Sequence, residues 1–208
     1  GNVTARIVHI LEPSSHRVSA PCPYFGTCTG CQWQHIDYQY QLKLKQQVVQ
    51  QELDAVLGSG IISVRETLPS TKMWNYRNHA RFTVGRDGHL GFVNRYKHFF
   101  TEIESCMIMH PRINQILGQL QGRCSETTQV TVRTAVNGND FLVQPDLTDP
   151  VIPLETGQAY YHEQLHDYPF RVASPSFFQV NVPQAERMVE LARSYLSLSG
   201  EELLVDAY

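Results

Sequence analysis

Three cysteines within ten residues constrain the fold of this 208-residue chain more than any other feature of its sequence. Cys22, Cys28 and Cys31 follow the spacing C-x5-C-x2-C in a segment, residues 21–31, that is also rich in glycine and proline. Thiolates so close in sequence can converge on one metal only where the backbone turns sharply, and glycine and proline favour such turns. The pattern predicts an irregular, metal-binding loop.

A tetrahedral zinc ion or a cubane iron–sulfur cluster needs a fourth ligand beyond these three thiolates. His35 is close in sequence, but Cys106, 75 positions after Cys31, lies in apolar sequence that is predicted to be buried, and it is the favoured candidate. A local triplet with one remote thiolate is more typical of an iron–sulfur cluster than of zinc, whose sites usually contain paired C-x2-C units. Zinc, and buried reduced thiols without a metal, stay open as alternatives.

The composition excludes several classes of protein. Apolar residues make up 42% of the chain and charged residues 18%, which supplies a packed core and excludes an intrinsically disordered chain. No apolar run is long enough to span a membrane, and no signal-peptide pattern opens the sequence. Because 5 cysteines without such a signal are typical of a reducing compartment, we expect a cytoplasmic protein with neither a disulfide framework nor a membrane partner.

Positive charge is concentrated in the first part of the chain. Residues 1–123 contain 13 lysines and arginines against 8 acidic residues, whereas residues 124–208 contain 4 against 12. Seven basic residues and two acidic ones lie between Arg65 and Lys97. A polyanion-binding surface would produce this pattern, and for charge alone an ordinary solvated surface explains it equally well.

Aromatic and basic residues are interleaved in the same region, over residues 74–82 and 92–100. Guanidinium groups bind phosphates and aromatic faces stack on unstacked bases, so the mixture suits single-stranded or looped RNA. The alternate residues Phe82 and Val84 are expected to face the core instead. The predicted phosphate contacts are Arg77, Arg81, Arg95 and Lys97.

The hydrophobic pattern predicts an α+β fold with an antiparallel sheet and packed helices. Apolar residues three and four positions apart predict three helices, at residues 37–58, 113–120 and 183–198. Alternating or β-rich sequence predicts strands at residues 5–11, within 61–100, at 130–136 and 141–143, and within 158–172. Residues 203–208 have the pattern of the first buried strand of an α/β sheet.

Several segments together resemble a known family. The segment CPYFGTCTGCQWQHIDY from Cys22 and the segment SPSFFQVN at residues 174–181 are the most specific. The others are YRNHARF at residues 76–82, LGF at 90–92, SCMI at 105–108 and LLVDAY at 203–208. In this order they resemble the bacterial RNA uracil-5-methyltransferase family, in the iron–sulfur type whose members mostly act on 23S ribosomal RNA.

The resemblance implies two cofactors, a [4Fe-4S] cluster and S-adenosyl-L-methionine. Gln179 would contact the methyl donor, and Tyr208 would lie beside its binding loop. The substrate would be RNA, with ribosomal preferred over transfer RNA, and the enzyme would be a monomer. The implied cluster ligands are Cys22, Cys28, Cys31 and Cys106.

The resemblance also implies three domains. Residues 1–20 would be the tail of an OB-like RNA-binding domain, and residues 21–172 a central iron–sulfur domain that contacts RNA. Residues 173–208 would begin a Rossmann-like methyltransferase domain with its first helix and strand. The family's glycine-rich loop, nucleophilic cysteine and general base would lie beyond residue 208, and Cys124 does not match the nucleophile motif. The 208-residue chain alone is therefore expected to be inactive.

The reaction implied by the resemblance is methylation at C5 of a uridine. C5 becomes nucleophilic only after a thiolate adds at C6, and the base must be unstacked before it can be reached. Two other functions fit part of the sequence pattern. One is a stand-alone RNA-binding module with a structural zinc ion; the other, which fits less well, is a small electron carrier.

Overall fold

The fold consists of two units, Gly1–Pro69 and Ser70–Tyr208, in a computed structural model that describes residues 7–205. The first unit contains the cysteine loop and one helix. The second contains a five-stranded antiparallel sheet, a separate two-stranded sheet and two helices. The predicted α+β class is confirmed. No helix in the part of the chain that the structure describes is long and apolar enough to cross a bilayer.

Helix α1 of the first unit, Tyr38–Leu57, begins and ends where the sequence predicts. Asp37 caps it by accepting a hydrogen bond from the backbone N–H of Tyr40 at 3.1 Å. Gly58 ends it with a φ of 95°, which glycine adopts without a steric penalty. Its apolar stripe is only partly buried, however: Leu42 is the one buried residue that the structure describes before residue 70.

The main sheet of the second unit has the strand order β3-β2-β1-β4-β5, with all neighbouring strands antiparallel. The β1–β2 hairpin closes at the predicted Asp-Gly dipeptide. Gly88 there has a φ of 74°, and a Cβ on it would lie 2.9 Å from the backbone nitrogen of Cys124, so only glycine fits. The strands are His79–Val84 (β1), Leu90–Val93 (β2), Phe100–Glu102 (β3), Gln129–Thr134 (β4) and Phe141–Gln144 (β5).

The two faces of this sheet differ because side chains alternate along each strand. One face is apolar and carries Phe82, which is fully buried as predicted. Helix α2, Pro111–Leu120, packs on β4 at this face and buries its own apolar stripe. The opposite face carries the polar side chains of β1 and β4. The core residues of the apolar face and of α2 include Val130, Val132, Ile113, Ile116, Leu117 and Leu120.

The remaining elements are strands β6, Tyr160–Leu165, and β7, Tyr168–Ala173, and helix α3, Val182–Leu196. The β6–β7 hairpin forms a second small core in which Tyr161 packs with Ala135, Leu142 and Val172. Glu163 is buried, and its carboxylate accepts hydrogen bonds from the backbone N–H groups of Val136 and Asn137 at 2.8 and 3.1 Å. These bonds fix the turn between β4 and β5.

Three predicted strand segments differ from the structure. Residues 7–11 are exposed and irregular, while residues 5 and 6 lie outside the described range. Residues 61–78 form no strand beyond a single bridge between Arg77 and Met109. Residues 203–205 are also exposed and irregular, and residues 206–208 lie outside the described range. A strand exists only where a neighbour pairs with its backbone groups, and apolar sequence does not supply that neighbour.

Candidate functional site

Two of the motif segments lie against each other in the second unit. Asn78, just before β1, is 1% exposed, and its backbone N–H donates to the carbonyl oxygen of Val180 at 3.0 Å. Its Nδ2 donates to the carbonyl oxygen of Gln179 at 3.2 Å. Its own carbonyl oxygen accepts from the N–H of Thr134 at 3.0 Å. The hydrogen bonds of Asn78, a single buried residue, therefore hold the segment of residues 174–181 against the sheet at residues 179 and 180.

Residues 174–181 are held to the sheet through their backbone, and several of their side chains are exposed, while Phe178 packs against the second small core. Gln179 is exposed, and Phe177 is 80% exposed. At the end of the segment Asn181 caps helix α3 by accepting from the N–H of Gln184 at 3.3 Å. The side chain of Gln179, predicted to contact the methyl donor, is thus accessible.

A buried arginine makes a further link between this segment and the sheet. Arg133 on β4 is 6% exposed, and its Nη1 donates to the carbonyl oxygen of Ser176 at 2.7 Å. Its Nε is buried and has no hydrogen-bond partner among residues 7–205. Arg133 thus brings a positive charge with an unused donor to the polar face of the sheet.

A groove of about 510 Å³ lies on that polar face. The pairing of β1 with β4 puts His79 opposite Arg133 and Arg81 opposite Thr131. Residues directly opposite one another share a face, so these four side chains converge. The groove is lined by His79, Arg81, Gln129, Thr131, Arg133, Gln144, Pro145, Ser174 and Pro175.

The groove is electropositive. Burial lowers the pKa of His79, and the charges of Arg133, Arg77 and Arg81 lower it further, to about 4. His79 is therefore neutral at pH 7, whereas the three guanidinium groups stay charged. No carboxylate is among the described residues that line the groove.

Two of the four predicted phosphate contacts lie at or beside this groove. Arg81 is exposed, and its Nε donates to the Oε1 of Gln129 at 2.8 Å, while its Nη2 bonds the same oxygen. Arg77 is half-buried just before β1, and its Nε donates to the carbonyl oxygen of His79 at 3.0 Å. Arg81 lines the groove, and Arg77 acts on it through its charge.

The other two, Arg95 and Lys97, lie in the β2–β3 loop and do not line the groove. Asn94 is 3% exposed and organises this loop. Its Oδ1 accepts hydrogen bonds from the N–H groups of Tyr96 and Lys97 at 3.0 and 2.9 Å. Arg95 and Lys97 are exposed, and Tyr96 is 75% exposed, so the loop presents two cations and an aromatic ring to solvent.

The cysteine triplet lies in an irregular loop of the first unit, as predicted. Hydrogen bonds within the loop hold the backbone: the N–H of Cys28 donates to the carbonyl oxygen of Tyr24 at 2.9 Å. The N–H of Cys22 donates to the Oε1 of Gln34 at 3.3 Å. These bonds make a turned backbone of the kind that a multidentate thiolate site requires.

The three thiols of this loop are half-buried, and none forms a disulfide. Burial raises the pKa of Cys28, a hydrogen bond from the backbone of Gly30 lowers it, and the charges of Cys31 and Cys22 raise it. The three sulfur atoms belong to one short loop, residues 22–31. They form the set of soft ligands that zinc and iron–sulfur clusters prefer.

Cys106 belongs to the second unit. Its N–H donates to the Oδ1 of Asn114 at 2.9 Å, and the Nδ2 of Asn114 donates to its carbonyl oxygen at 3.0 Å. Its thiol is half-buried rather than buried as expected. Within residues 7–205 no group of three or more His, Cys, Asp or Glu side chains has the arrangement of a metal site. The four-cysteine ligand set therefore stays a prediction.

Curated relatives of the chain are RNA methyltransferases, although no family model matches it. It is 28% identical, over 98% of its length, to an uncharacterized RNA methyltransferase of Halalkalibacterium halodurans. Uncharacterized RNA methyltransferases of Bacillus cereus and of a Nostoc species are 27% and 29% identical over 100% and 98% of the chain.

The fold also has a solved counterpart. The tRNA (uracil-54, C5)-methyltransferase of Pyrococcus abyssi, in complex with S-adenosyl-L-homocysteine, aligns with 89% of the chain at a TM-score of 0.65 and 19% identity. The sequence comparisons support a relationship to RNA methyltransferases, and the solved structure shows that the fold is shared. The chain spans just over half the length of these methyltransferases, 56 or 57% of the three sequence relatives and 53% of the solved chain.

The sequence analysis missed two residues that organise the site, Asn78 and Arg133. Asn78 stands in the YRNHARF segment, so the motif itself marked its position. No motif or hydrophobic pattern indicated Arg133, because a single arginine in a β-rich sequence forms no periodic pattern. Only the register that puts it opposite His79 reveals its place.

Proposed function

We propose that this chain is part of an S-adenosylmethionine-dependent enzyme that methylates C5 of a uridine in RNA, with 23S ribosomal RNA preferred over transfer RNA. The chain would supply RNA binding, an iron–sulfur cluster and part of the methyl-donor site. The observation that carries the proposal is the bonding of Asn78 to residues 179 and 180. These hydrogen bonds hold Gln179, which is predicted to contact the methyl donor, against the electropositive sheet of the same unit.

RNA binding is assigned to the basic residues of the second unit. Arg81 and Arg77 would hold the RNA backbone at the sheet, and Arg95 and Lys97 at the β2–β3 loop. The exposed ring of Tyr96 between the two loop cations suits stacking on an unpaired base. The names of the sequence relatives support RNA as the substrate class.

Methyl-donor binding is assigned to Gln179 and Tyr208. The solved structural relative holds S-adenosyl-L-homocysteine, the product form of the donor, which supports this cofactor. When bound, the donor supplies an electrophilic methyl group. The exposed amide of Gln179 offers a hydrogen-bond donor and an acceptor on a backbone that Asn78 holds in place.

The cluster is assigned to Cys22, Cys28, Cys31 and Cys106. The three loop thiols are half-buried, free of disulfides and within one short loop, which supports their assignment as ligands. The fourth ligand rests on the resemblance alone. When bound, the cluster would supply a structural crosslink, since the methyl transfer is not a redox reaction.

The chain is proposed to bind RNA without methylating it, because none of its described cysteines suits the thiolate that the reaction needs. Cys124 is fully buried, and burial raises its pKa to about 11, with smaller effects from Glu126 and Asp149. Its Sγ donates to the carbonyl oxygen of Leu120 at 3.4 Å. A protonated, inaccessible thiol cannot add to uracil C6.

The domain organisation and setting belong to the same proposal. Residues 1–20 would end an OB-like domain, residues 21–172 would form the central RNA-contacting domain, and residues 173–208 would begin the methyltransferase domain. The enzyme would be a cytoplasmic monomer.

Binding of fluorescein-labelled hairpins from 23S ribosomal and transfer RNA to the purified chain tests the proposal. We expect salt-sensitive binding, with the affinity for ribosomal RNA higher, and no transfer of labelled methyl groups to either RNA. Absence of RNA binding would contradict the proposal, and turnover by the chain alone would contradict its inactivity.

The metal content separates this proposal from a zinc-containing RNA-binding module. After anaerobic reconstitution with iron and sulfide, we expect a brown protein with about four iron and four sulfide per chain. The absorbance should be lost in Cys106→Ser and kept in Cys124→Ala. A colourless protein that binds one zinc ion would favour the alternative.

A further inference from the structure

We propose that the groove on the polar face of the sheet binds a phosphate group of the RNA strand through Arg133 and Arg81. The inference rests on the proposed function, because it names the place where the RNA backbone is held. It adds Arg133, which the sequence did not indicate, to the RNA-binding residues.

Arg133 is the central group because no carboxylate pairs with its charge and its Nε donor has no acceptor among the described residues. A buried guanidinium needs acceptors for its N–H groups. Its Nη1 uses the carbonyl oxygen of Ser176, but its Nε has no partner, and no ion pair joins it to a carboxylate of the described residues. An anion in the groove would supply both the acceptor and the opposite charge.

Arg81 reaches the same groove from the neighbouring strand. The register puts it opposite Thr131, two residues before Arg133 on β4. Its Nε and Nη2 share the Oε1 of Gln129, which is a neutral acceptor, so its charge stays uncompensated. Two guanidinium groups on adjacent strands match the several oxygens of a phosphate better than a single ammonium group would.

The rest of the groove favours an RNA strand over an isolated small anion. Its volume of about 510 Å³ exceeds what a single phosphate fills and suits a nucleotide. Thr131, Gln144 and Ser174 add neutral hydrogen-bonding groups that suit ribose hydroxyls and base edges. Ser174 is the first residue of the segment that contains Gln179. An RNA strand in the groove would therefore lie on the same unit as the residue that is proposed to contact the methyl donor.

The test compares RNA binding by the 208-residue chain and by three variants. A fluorescein-labelled, uridine-rich single-stranded RNA is titrated at several salt concentrations. Arg81→Gln should lower the affinity about five- to tenfold and reduce the slope of log K against log salt by about 0.7, the value for one lost phosphate contact. Arg133→Lys keeps the charge but loses the Nε donor and should lower the affinity about tenfold.

Arg187→Gln is the matched control, because Arg187 is an exposed arginine of the same unit that does not line the groove. Its affinity should stay within twofold of the unchanged chain. Circular dichroism checks that each variant folds. If Arg133→Lys does not fold, Arg81→Gln, at an exposed position, decides the outcome.

The Nε–Hε resonance of Arg133, assigned by its loss in Arg133→Lys, gives a direct readout. We expect RNA to shift it. Salt-sensitive RNA binding that neither variant weakens would overturn the groove assignment and leave the proposed function intact. A resonance that moves with inorganic phosphate but not with RNA would overturn it in favour of a free-anion site. An unchanged chain that binds no RNA would overturn both.

Discussion

The two units of the chain differ in how much apolar surface they bury. Between residues 7 and 69 the structure describes one buried side chain, that of Leu42. The second unit buries residues from both faces of its sheet and from α2, including Phe82, Leu117 and Val132. The first unit nevertheless contains the 20-residue helix α1 and a long irregular loop.

This difference indicates what the cysteines do. A segment of fewer than about 70 residues with little core usually needs a crosslink or a metal to stay folded. The first unit has three thiols in one short loop and little core, whereas the second unit has an extended apolar core. The proposed cluster is therefore expected to stabilise the first unit and to matter little for the second.

The largest predicted effect is the loss of one unit without the other. Cys28→Ser should unfold the first unit, because a structural metal contributes on the order of 10 kcal/mol to folding. Hydrogen exchange should show lost protection in α1 and unchanged protection in β1 and β4. Cys124→Ala, outside the proposed ligand set, serves as the control. Full protection of α1 in Cys28→Ser would show that the first unit does not depend on the metal.

The next effect concerns the core of the second unit. Phe82→Ala removes a fully buried ring and should lower the free energy of unfolding of this unit by about 3–5 kcal/mol. Leu42→Ala, the counterpart in the first unit, should cost less than about 2 kcal/mol because its surroundings are only partly buried. Trp74 and Trp33 lie one in each unit, so variants that keep only one of them report the urea unfolding of each unit separately. Equal losses of unfolding free energy in Phe82→Ala and Leu42→Ala would contradict the difference in core burial between the two units.

A smaller effect is the response of the second unit to acid. The pKa of His79 is about 4 in the folded chain and near 6.5 when unfolded, so between these values the unfolded state binds the extra proton. Stability should therefore fall by about 1–2 kcal/mol as the pH drops from 6.5 to 4, less than the two pKa values alone would give, because His79 is only half-buried and solvent screens its charge. Urea unfolding followed by Trp74 measures this slope. His79→Gln should flatten it, and an unchanged slope in that variant would exclude His79 as its cause.

The smallest effect is at a helix cap. Asp37→Ala removes the acceptor for the N–H of Tyr40 and should lower the stability of α1 by about 1 kcal/mol, with Asp37→Asn restoring most of it. The Trp33 signal reports the change. An effect as large as that of Cys28→Ser would mean that the cap, and not the metal, governs this unit.

Local features of the fold were predictable because their causes lie in neighbouring residues. Asp37 and Gly58 mark both ends of α1, and the Asp-Gly dipeptide marks the β1–β2 hairpin. Features that depend on distant residues were not. Arg133 joins the groove only through its register with β1, and residues 61–78 resemble strands but pair only through the single bridge between Arg77 and Met109. Val49 and Val56 are likewise exposed although they belong to the apolar stripe of α1, because burial depends on which other residues pack against the helix.

The hydrogen bonds of Asn78 have a consequence for the energetics of ligand recognition. The backbone around Gln179 loses its conformational entropy when the sheet forms, not when a ligand arrives. A molecule that meets the Gln179 amide therefore gains the full enthalpy of its hydrogen bonds without a large ordering penalty. Asn78→Ala would move that penalty back to the binding step and weaken association at Gln179.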